Sequence, residues 1–238
     1  IHSEGVRYIE EIGDPHKIAL RTLRLNIMSK HQAQSQKVRI QYSSKHANVA
    51  NAWKKWQGEV KGIRKMKTVA TKKEYEQRFA AWAKGTEYEG LTDKIADLYA
   101  QLEPYAFAAD YYNETVRTVE LANFAMSFAR LYHPSEDDIT FEDAKAAELA
   151  ESFFKDYYLP IDHECFVAVM KEFDKNVPAE SKPAFHTQMM EKYGAEVLRD
   201  IAVEIQYEPE LWVLDVDGKK SRLVAYVKGV AEYQKRVA

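Results

Sequence analysis

The side chains whose type and spacing could do chemistry concentrate on one stretch, from Asn48 to Met66. Ala50, Trp53, Trp56, Val60, Ile63 and Met66 step by threes and fours, the period of an amphipathic helix. At about 100° per residue, Trp53, Trp56, Val60 and Ile63 cluster within about 80° of one another, and Asn51, Lys55, Gly58 and Gly62 fall on the opposite side. Two glycines on an outer helix face cost on the order of 1 kcal/mol each relative to Ala, a cost that makes sense where another backbone or a ligand approaches. Asn51 would point at that visitor. The alternative is an exposed Asn on a helix with incidental glycines. Eight basic residues (Lys54, Lys55, Lys61, Arg64, Lys65, Lys67, Lys72, Lys73) face one acid, Glu59, in the same region. Interleaved with tryptophans, they suit an acidic partner or a nucleic acid, or else form a solvated face balanced by acidic helices elsewhere.

Other chemistry is harder to place. None of the seven histidines has Glu or Asp three residues before it, which speaks against a di-iron helical site. His163-Glu164 begins like a zinc-peptidase motif, but Val167 stands where the second histidine belongs. Cys165 sits in the apolar run Cys165-Phe166-Val167-Ala168-Val169-Met170 and reads as a small buried hydrophobe rather than a nucleophile. No nucleophile elbow, Walker loop or dinucleotide fingerprint occurs. The expectation is a chain with no catalytic residue, no metal and no cofactor of its own.

The 238 residues suffice for one large domain with a sizeable core. Nine Gly and seven Pro are too few to punctuate a many-stranded β fold, so the expected class is all-α, about nine helices in a single domain over residues 1–238. With 46% hydrophobic and 30% charged residues and no long apolar run, neither disorder nor a membrane span is expected. The net charge of −3 exerts no global pull toward nucleic acid. A single cysteine excludes an intramolecular disulfide and leaves the compartment open. The opening Ile1-His2-Ser3-Glu4-Gly5 carries neither initiator Met nor leader, so a signal peptide is expected to be absent or removed, and the chain to be part of something longer.

These elements should position the Asn48–Met66 face. Asp14-Pro15 reads as a helix start, with Ile18, Leu25 and Met28 following over about five turns. Val38, Ile40 and Tyr42 alternate as in a strand but lack flanking turn residues, which favours continued helix. Lys72 to Ala83 is expected to be a three-turn helix stopped by Gly85, and Leu91, Ile95, Leu98 and Leu102 mark another. Pro104 should end or kink it, leaving Tyr105 to Tyr132 as the longest central helix, broken by His133-Pro134-Ser135. Thr140 with Asp143 suggests a cap opening the helix of Phe153 and Phe154, and Asp162 a cap for the helix of Phe166, Met170 and Phe173. A helix through Met189 and Tyr193, a turn at Leu214 to Lys219 and a last helix from Ser221 complete the expectation.

The run Arg39-Ile40-Gln41-Tyr42-Ser43-Ser44-Lys45-His46-Ala47-Asn48-Val49-Ala50-Asn51-Ala52-Trp53-Lys54, with Gly58 and Gly62 after it, resembles the helical domain of the S46 serine dipeptidyl-peptidases. His46 and Ala52 stand where that family usually has tyrosine. The resemblance continues through Lys72 to Trp82, Asp162-His163-Glu164-Cys165-Phe166-Val167-Ala168, Asn176-Val177-Pro178 and Tyr226-Val227-Lys228-Gly229-Val230. It implies a helical cap inserted in a chymotrypsin-like double β-barrel, in a bacterial exopeptidase that releases dipeptides from peptide N-termini. It implies further that Asn51 binds the substrate α-amino group and that Asn48, Lys55, Gly58 and Gly62 face the cleft. The catalytic triad, the oxyanion hole and a carboxylate partner for the amine would lie in the catalytic domain, outside this chain. The implied partners are peptides with a free N-terminus and that catalytic domain, not nucleic acid, and the implied location is periplasmic or cell-surface. The competing expectation is a stand-alone helical interaction domain that uses the basic Trp-rich helix.

Overall fold

The computed structural model describes residues 2–129, 132–134, 139–141 and 143–182. Their order is α1 (Ser3–Tyr8), a π-helical turn (Ile9–Gly13), α2 (Asp14–Gln34), α3 (Gln36–Lys65), α4 (Thr68–Ala83), α5 (Leu91–Glu114), a 3₁₀ turn (Val116–Thr118), α6 (Glu120–Ala129), β1 (Tyr132–Pro134), β2 (Ile139–Phe141), α7 (Asp143–Lys155), α8 (Leu159–Asn176) and a last 3₁₀ turn (Ala179–Ser181). The class is helical as expected. Among the described residues there are eight α segments, the first two joined through the π turn, and the count of about nine is not reproduced. The helices expected through Met189 and from Ser221, and the turn at Leu214 to Lys219, lie outside the described residues. No described helix is long and apolar enough to cross a membrane.

α2 and α3 form the spine. Only Ser35 separates them, in an extended conformation (φ −147°, ψ 122°), with its hydroxyl accepting the Val38 N–H at 3.3 Å as the N-cap of α3. The chain therefore folds straight back on itself, and Ser29 meets His46, Thr22 meets Trp53 and Glu10 meets Arg64 along an antiparallel pair. Val38 to Tyr42 is helical, as the absence of turn residues implied. α8 lies across the pair: Ile161 and Cys165 join Ile27, Met28, Val38, Tyr42 and Val49 in one core cluster, while Val169, Met170, Phe173 and Val177 join Leu20 and Tyr111 in a second.

Five expectations are corrected. α2 begins at Asp14 with Pro15 in its first turn, but Asp14 is not an N-cap, because α1 runs into it through the π turn. The π turn widens the spiral just before Pro15, where the ring would otherwise press on the carbonyl four residues back. Of the two outcomes expected at Pro104, an end is not seen: α5 continues to Glu114. Pro104 and Ala100 are both exposed, so the carbonyl that loses its partner lies where solvent can reach it. The central helix instead breaks at Thr115 (φ −113°, ψ −84°), whose buried hydroxyl donates to the Tyr111 carbonyl at 2.6 Å. Thr140 opens no helix, since it pairs with His133 in a two-stranded antiparallel hairpin, the exception to an all-α chain among the described residues. Asp162 does not cap its own helix, which starts at Leu159 with Pro160 in its first turn. Its carboxylate accepts the Glu120 N–H at 2.9 Å and the Leu121 N–H at 3.0 Å, and so caps α6 across 41 residues of sequence. Where the expectation was a stop after Ala83, the structure agrees: Gly85 has φ +76°.

Two predictions follow from packing. A Cβ on Gly13 would come within 2.7 Å of Tyr8 Cε1 and 3.0 Å of Asp110 Oδ2, so Gly13→Ala should destabilise the fold by about 1–3 kcal/mol in urea unfolding. A cost below about 0.5 kcal/mol would mean that the π turn is looser than described. Burial pushes the Asp162 carboxyl up to about 6 from its ordinary 3.8, outweighing the N–H donors from Glu120 and Leu121. A folded value above the unfolded one means that this group's contribution is complete below about 3.8 and is lost as pH rises through about 6. The unfolding free energy should therefore carry a component that falls between pH 4 and pH 7, absent in Asp162→Asn, and identical pH slopes in the two proteins would refute it.

Candidate functional site

α3 presents two unlike sides. On the inner side the Trp53 indole N–H donates to the Thr22 hydroxyl at 2.9 Å, and that hydroxyl donates onward to the Ile18 carbonyl at 2.8 Å. The Trp56 ring lies under two cations of α2, with Arg21 Cζ 4.5 Å and Lys17 Nζ 4.9 Å from its centroid. Neither cation is free to drift. Arg21 is held by Glu114, its Nε at 2.8 Å and its Nη2 at 2.9 Å from the two carboxylate oxygens, and Glu114 is 6% exposed. Lys17 is held 2.8 Å from Asp14, which is 2% exposed. Val60 closes this side as a buried residue.

On the outer side Asn48, Asn51, Lys55 and Gly58 are exposed and Gly62 is half-buried. A Cβ built on Gly58 or Gly62 would meet nothing within 4 Å. Neither glycine is therefore needed for packing within the described residues, which leaves an open strip along the helix. Asn51 makes no hydrogen bond to a described residue, so both its amide oxygen and its NH₂ are available to a partner. The structure thus brings Asn51, Lys55, Gly58 and Gly62 onto one strip as the helical period requires, with Asn48 one turn before Asn51.

The basic run divides. Arg64 pairs with Glu10 at 3.3 Å and Lys73 with Glu4 at 3.8 Å, whereas Lys54, Lys55, Lys61 and Lys65 are exposed and make no ion pair with a described residue. The tryptophans interleaved with them in sequence are turned away from them in space.

The remaining candidates behave as structural groups. Cys165 is buried among Ile161, Met28 and Val49, and burial pushes its thiol up to about 12, far from any reactive range at neutral pH. Glu164 accepts from Lys30 at 2.7 Å and lies 2.7 Å from His31 Nε2, an ion-pair cluster between α2 and α8 that holds the Glu164 carboxyl below its usual range. No group of three or more His, Cys, Asp or Glu that could hold a metal occurs among the described residues. A recess of about 370 Å³ lies at the α2–α3 turn, lined by Ser29, Gln32, Ser35, Gln36, Arg39 and His46. It does not include Asn51. What residue-by-residue reading missed is Thr22 and Glu114, the anchors of the inner face. Their only signal is spatial, since they lie 31 residues from Trp53 and 93 from Arg21.

Residues 1–210 match the Peptidase S46 family. The chain is 31% identical to an Asp/Glu-specific dipeptidyl-peptidase of Capnocytophaga gingivalis, over 74% of this chain and 26% of the relative. It is 28% identical to the Asp/Glu-specific dipeptidyl-peptidase of Flavobacterium psychrophilum, over 99% of this chain and 36% of the relative. The crystal structure of Porphyromonas endodontalis DPP11 superposes with a TM-score of 0.70 at 19% identity, covering 99% of this chain and 37% of that one. The chain thus spans about a third of the length of the curated relatives it matches. With the helical fold shared and the match running through α1 to α8 and beyond, this chain belongs to the S46 peptidase family.

Proposed function

We propose that this chain is the helical cap of an S46 dipeptidyl-peptidase, covering one end of the active-site cleft and contributing Asn51 to bind the α-ammonium of the incoming peptide. The observation that carries this reading is the Asn51 amide, exposed and without a hydrogen bond to any described residue, on a helix side kept clear by Gly58 and Gly62. An amide oxygen accepts readily from an ammonium but brings no charge. No carboxylate of the described residues bonds to Asn51; in this reading the counter-charge is supplied by the catalytic domain, as are the nucleophile, its base and the oxyanion donors.

Selectivity for dipeptide release would then be steric and electrostatic together. A longer N-terminal extension meets the cap, while a free amine at the right depth is paired. Asn48, Lys55, Gly58 and Gly62 face the cleft in this arrangement. Related DPP11 has been crystallised in complex with the dipeptides Arg-Glu and Arg-Asp, which supports a peptide ligand for the family's shared fold. By the same reading the parent protein acts in the periplasm or at the cell surface, and this chain alone hydrolyses nothing.

The test is kinetic, in the full-length parent. Asn51→Ala should lower kcat/KM for a free-amine dipeptidyl substrate by about 10- to 100-fold, the worth of a hydrogen bond to a charged group. Blocking the substrate's amine by acetylation should abolish turnover by both proteins. Unchanged kcat/KM in Asn51→Ala would overturn the assignment, and dipeptide release by the isolated 238-residue chain would overturn the cap reading as a whole.

A further inference from the structure

Four lysines on the Asn51 side of α3 have no acid to answer them among the described residues. Lys17, Lys30, Lys45, Lys73 and Lys182, and Arg7, Arg21 and Arg64, all lie within ion-pair distance of a carboxylate. Lys54, Lys55, Lys61 and Lys65 pair with no carboxylate of the described residues, and all four are exposed. On the helical wheel, with Asn51 at zero, Gly58 and Gly62 fall at about −20° and +20°, Lys55 at about +40°, and Lys65, Lys54 and Lys61 at about −40°, −60° and −80°. The glycines make a bare floor and the lysines stand on either side of it. From Asn51 to Lys65 this strip is about 21 Å long at 1.5 Å per residue, the span of roughly six extended peptide residues.

We propose that this strip reads the substrate beyond the released dipeptide and favours peptides that carry carboxylate side chains there. The proposal rests on Asn51 as the amine-binding residue. Whatever carboxylate answers the ammonium at Asn51, four lysines without a described counter-ion repel it from along the strip, and carboxylates within the same peptide reverse the sign of that interaction. The open space over Gly58 and Gly62 admits a peptide backbone close enough for side chains on both edges to reach the lysines. A nucleic-acid strand is the poorer occupant. Trp53 and Trp56, which could have stacked with bases, are engaged on the inner side by Thr22, Arg21 and Lys17, which leaves no tryptophan platform on the strip.

The test uses the full-length parent and pairs of free-amine peptides identical in their first two residues, with Glu or Gln at the third and fifth positions. Fixing the first two residues removes any preference within the dipeptide itself. At low ionic strength the Glu peptide should be favoured in kcat/KM by about three- to tenfold, and the ratio should approach one at about 0.5 M salt, where the screening length shrinks to a few ångströms. The combined variant Lys54→Gln, Lys55→Gln, Lys61→Gln and Lys65→Gln should bring the ratio to one at low salt, while Asn51→Ala should slow both peptides equally and leave the ratio intact. A ratio of one in the unmodified protein overturns the proposal whatever Asn51→Ala does. Unchanged kinetics in Asn51→Ala overturn the amine-binding reading whatever the ratio. Steeply salt-dependent, submicromolar binding of a single-stranded oligonucleotide, lost in the four-lysine variant, would assign the strip to nucleic acid instead.

Discussion

Between Asp14 and Lys65 a single residue, Ser35, leaves the helical conformation, and the rest of the structure follows from that constraint. With no loop to spend, α2 and α3 must run antiparallel in direct contact, and every residue of α3 is assigned to a side: toward α2, toward α8 or toward solvent. The Ser35 hydroxyl at the α3 N-terminus makes the reversal possible by satisfying an N–H that the abrupt start leaves unpaired. The long hairpin then offers one continuous groove, and α8 fills it with Ile161, Cys165, Val169 and Phe173.

Polar groups tie the later helices to this hairpin where apolar contact alone would let them slide. The Tyr42 hydroxyl on α3 donates to Glu120 at 2.9 Å, Lys45 pairs with the same carboxylate, and Asp162 on α8 caps α6 through two N–H donors. Tyr157 donates to Asp162 as well, at 3.3 Å. Phe124, Phe153 and Tyr157 stack beside this network, at 4.0 Å and 4.6 Å between successive ring centroids. A buried carboxylate surrounded by donors is costly to desolvate yet tightly directional, so it sets where α6 starts. Burial dominates the raised Asp162 value for the same reason.

The functional proposal depends on the rigidity of the inner side of α3 as much as on the freedom of the outer one. The Trp53 bond to Thr22 and the Trp56 ring under Arg21 and Lys17 hold the helix two and five residues beyond Asn51. Glu114 and Asp14, both buried, hold those cations in turn. A ligand group presented from such a helix keeps its position without being ordered on binding, which is how an exposed side chain can contribute to recognition at small entropic cost.

The helical class, the amphipathic division of α3, the stop at Gly85 and the strip of Asn51, Lys55, Gly58 and Gly62 were legible in the sequence because each follows from local periodicity or from a residue's own backbone preference. The resemblance to S46 peptidases was legible too, being carried by a contiguous run of residues. Pro104 and Asp14-Pro15 misled because a proline's local cost can be absorbed, at a solvent-accessible carbonyl at one site and by a π turn at the other. Asp162 misled because its carboxylate serves a helix 41 residues away. Which lysines of the basic run stand unpaired among the described residues, and that the tryptophans among them turn inward, was likewise decided only by tertiary structure. Those facts depend on Glu10, Glu4, Thr22 and Arg21, which the α2–α3 reversal and the packing of α1 bring alongside. Sequence order determines which side of a helix a residue occupies, and only the fold determines what waits on that side.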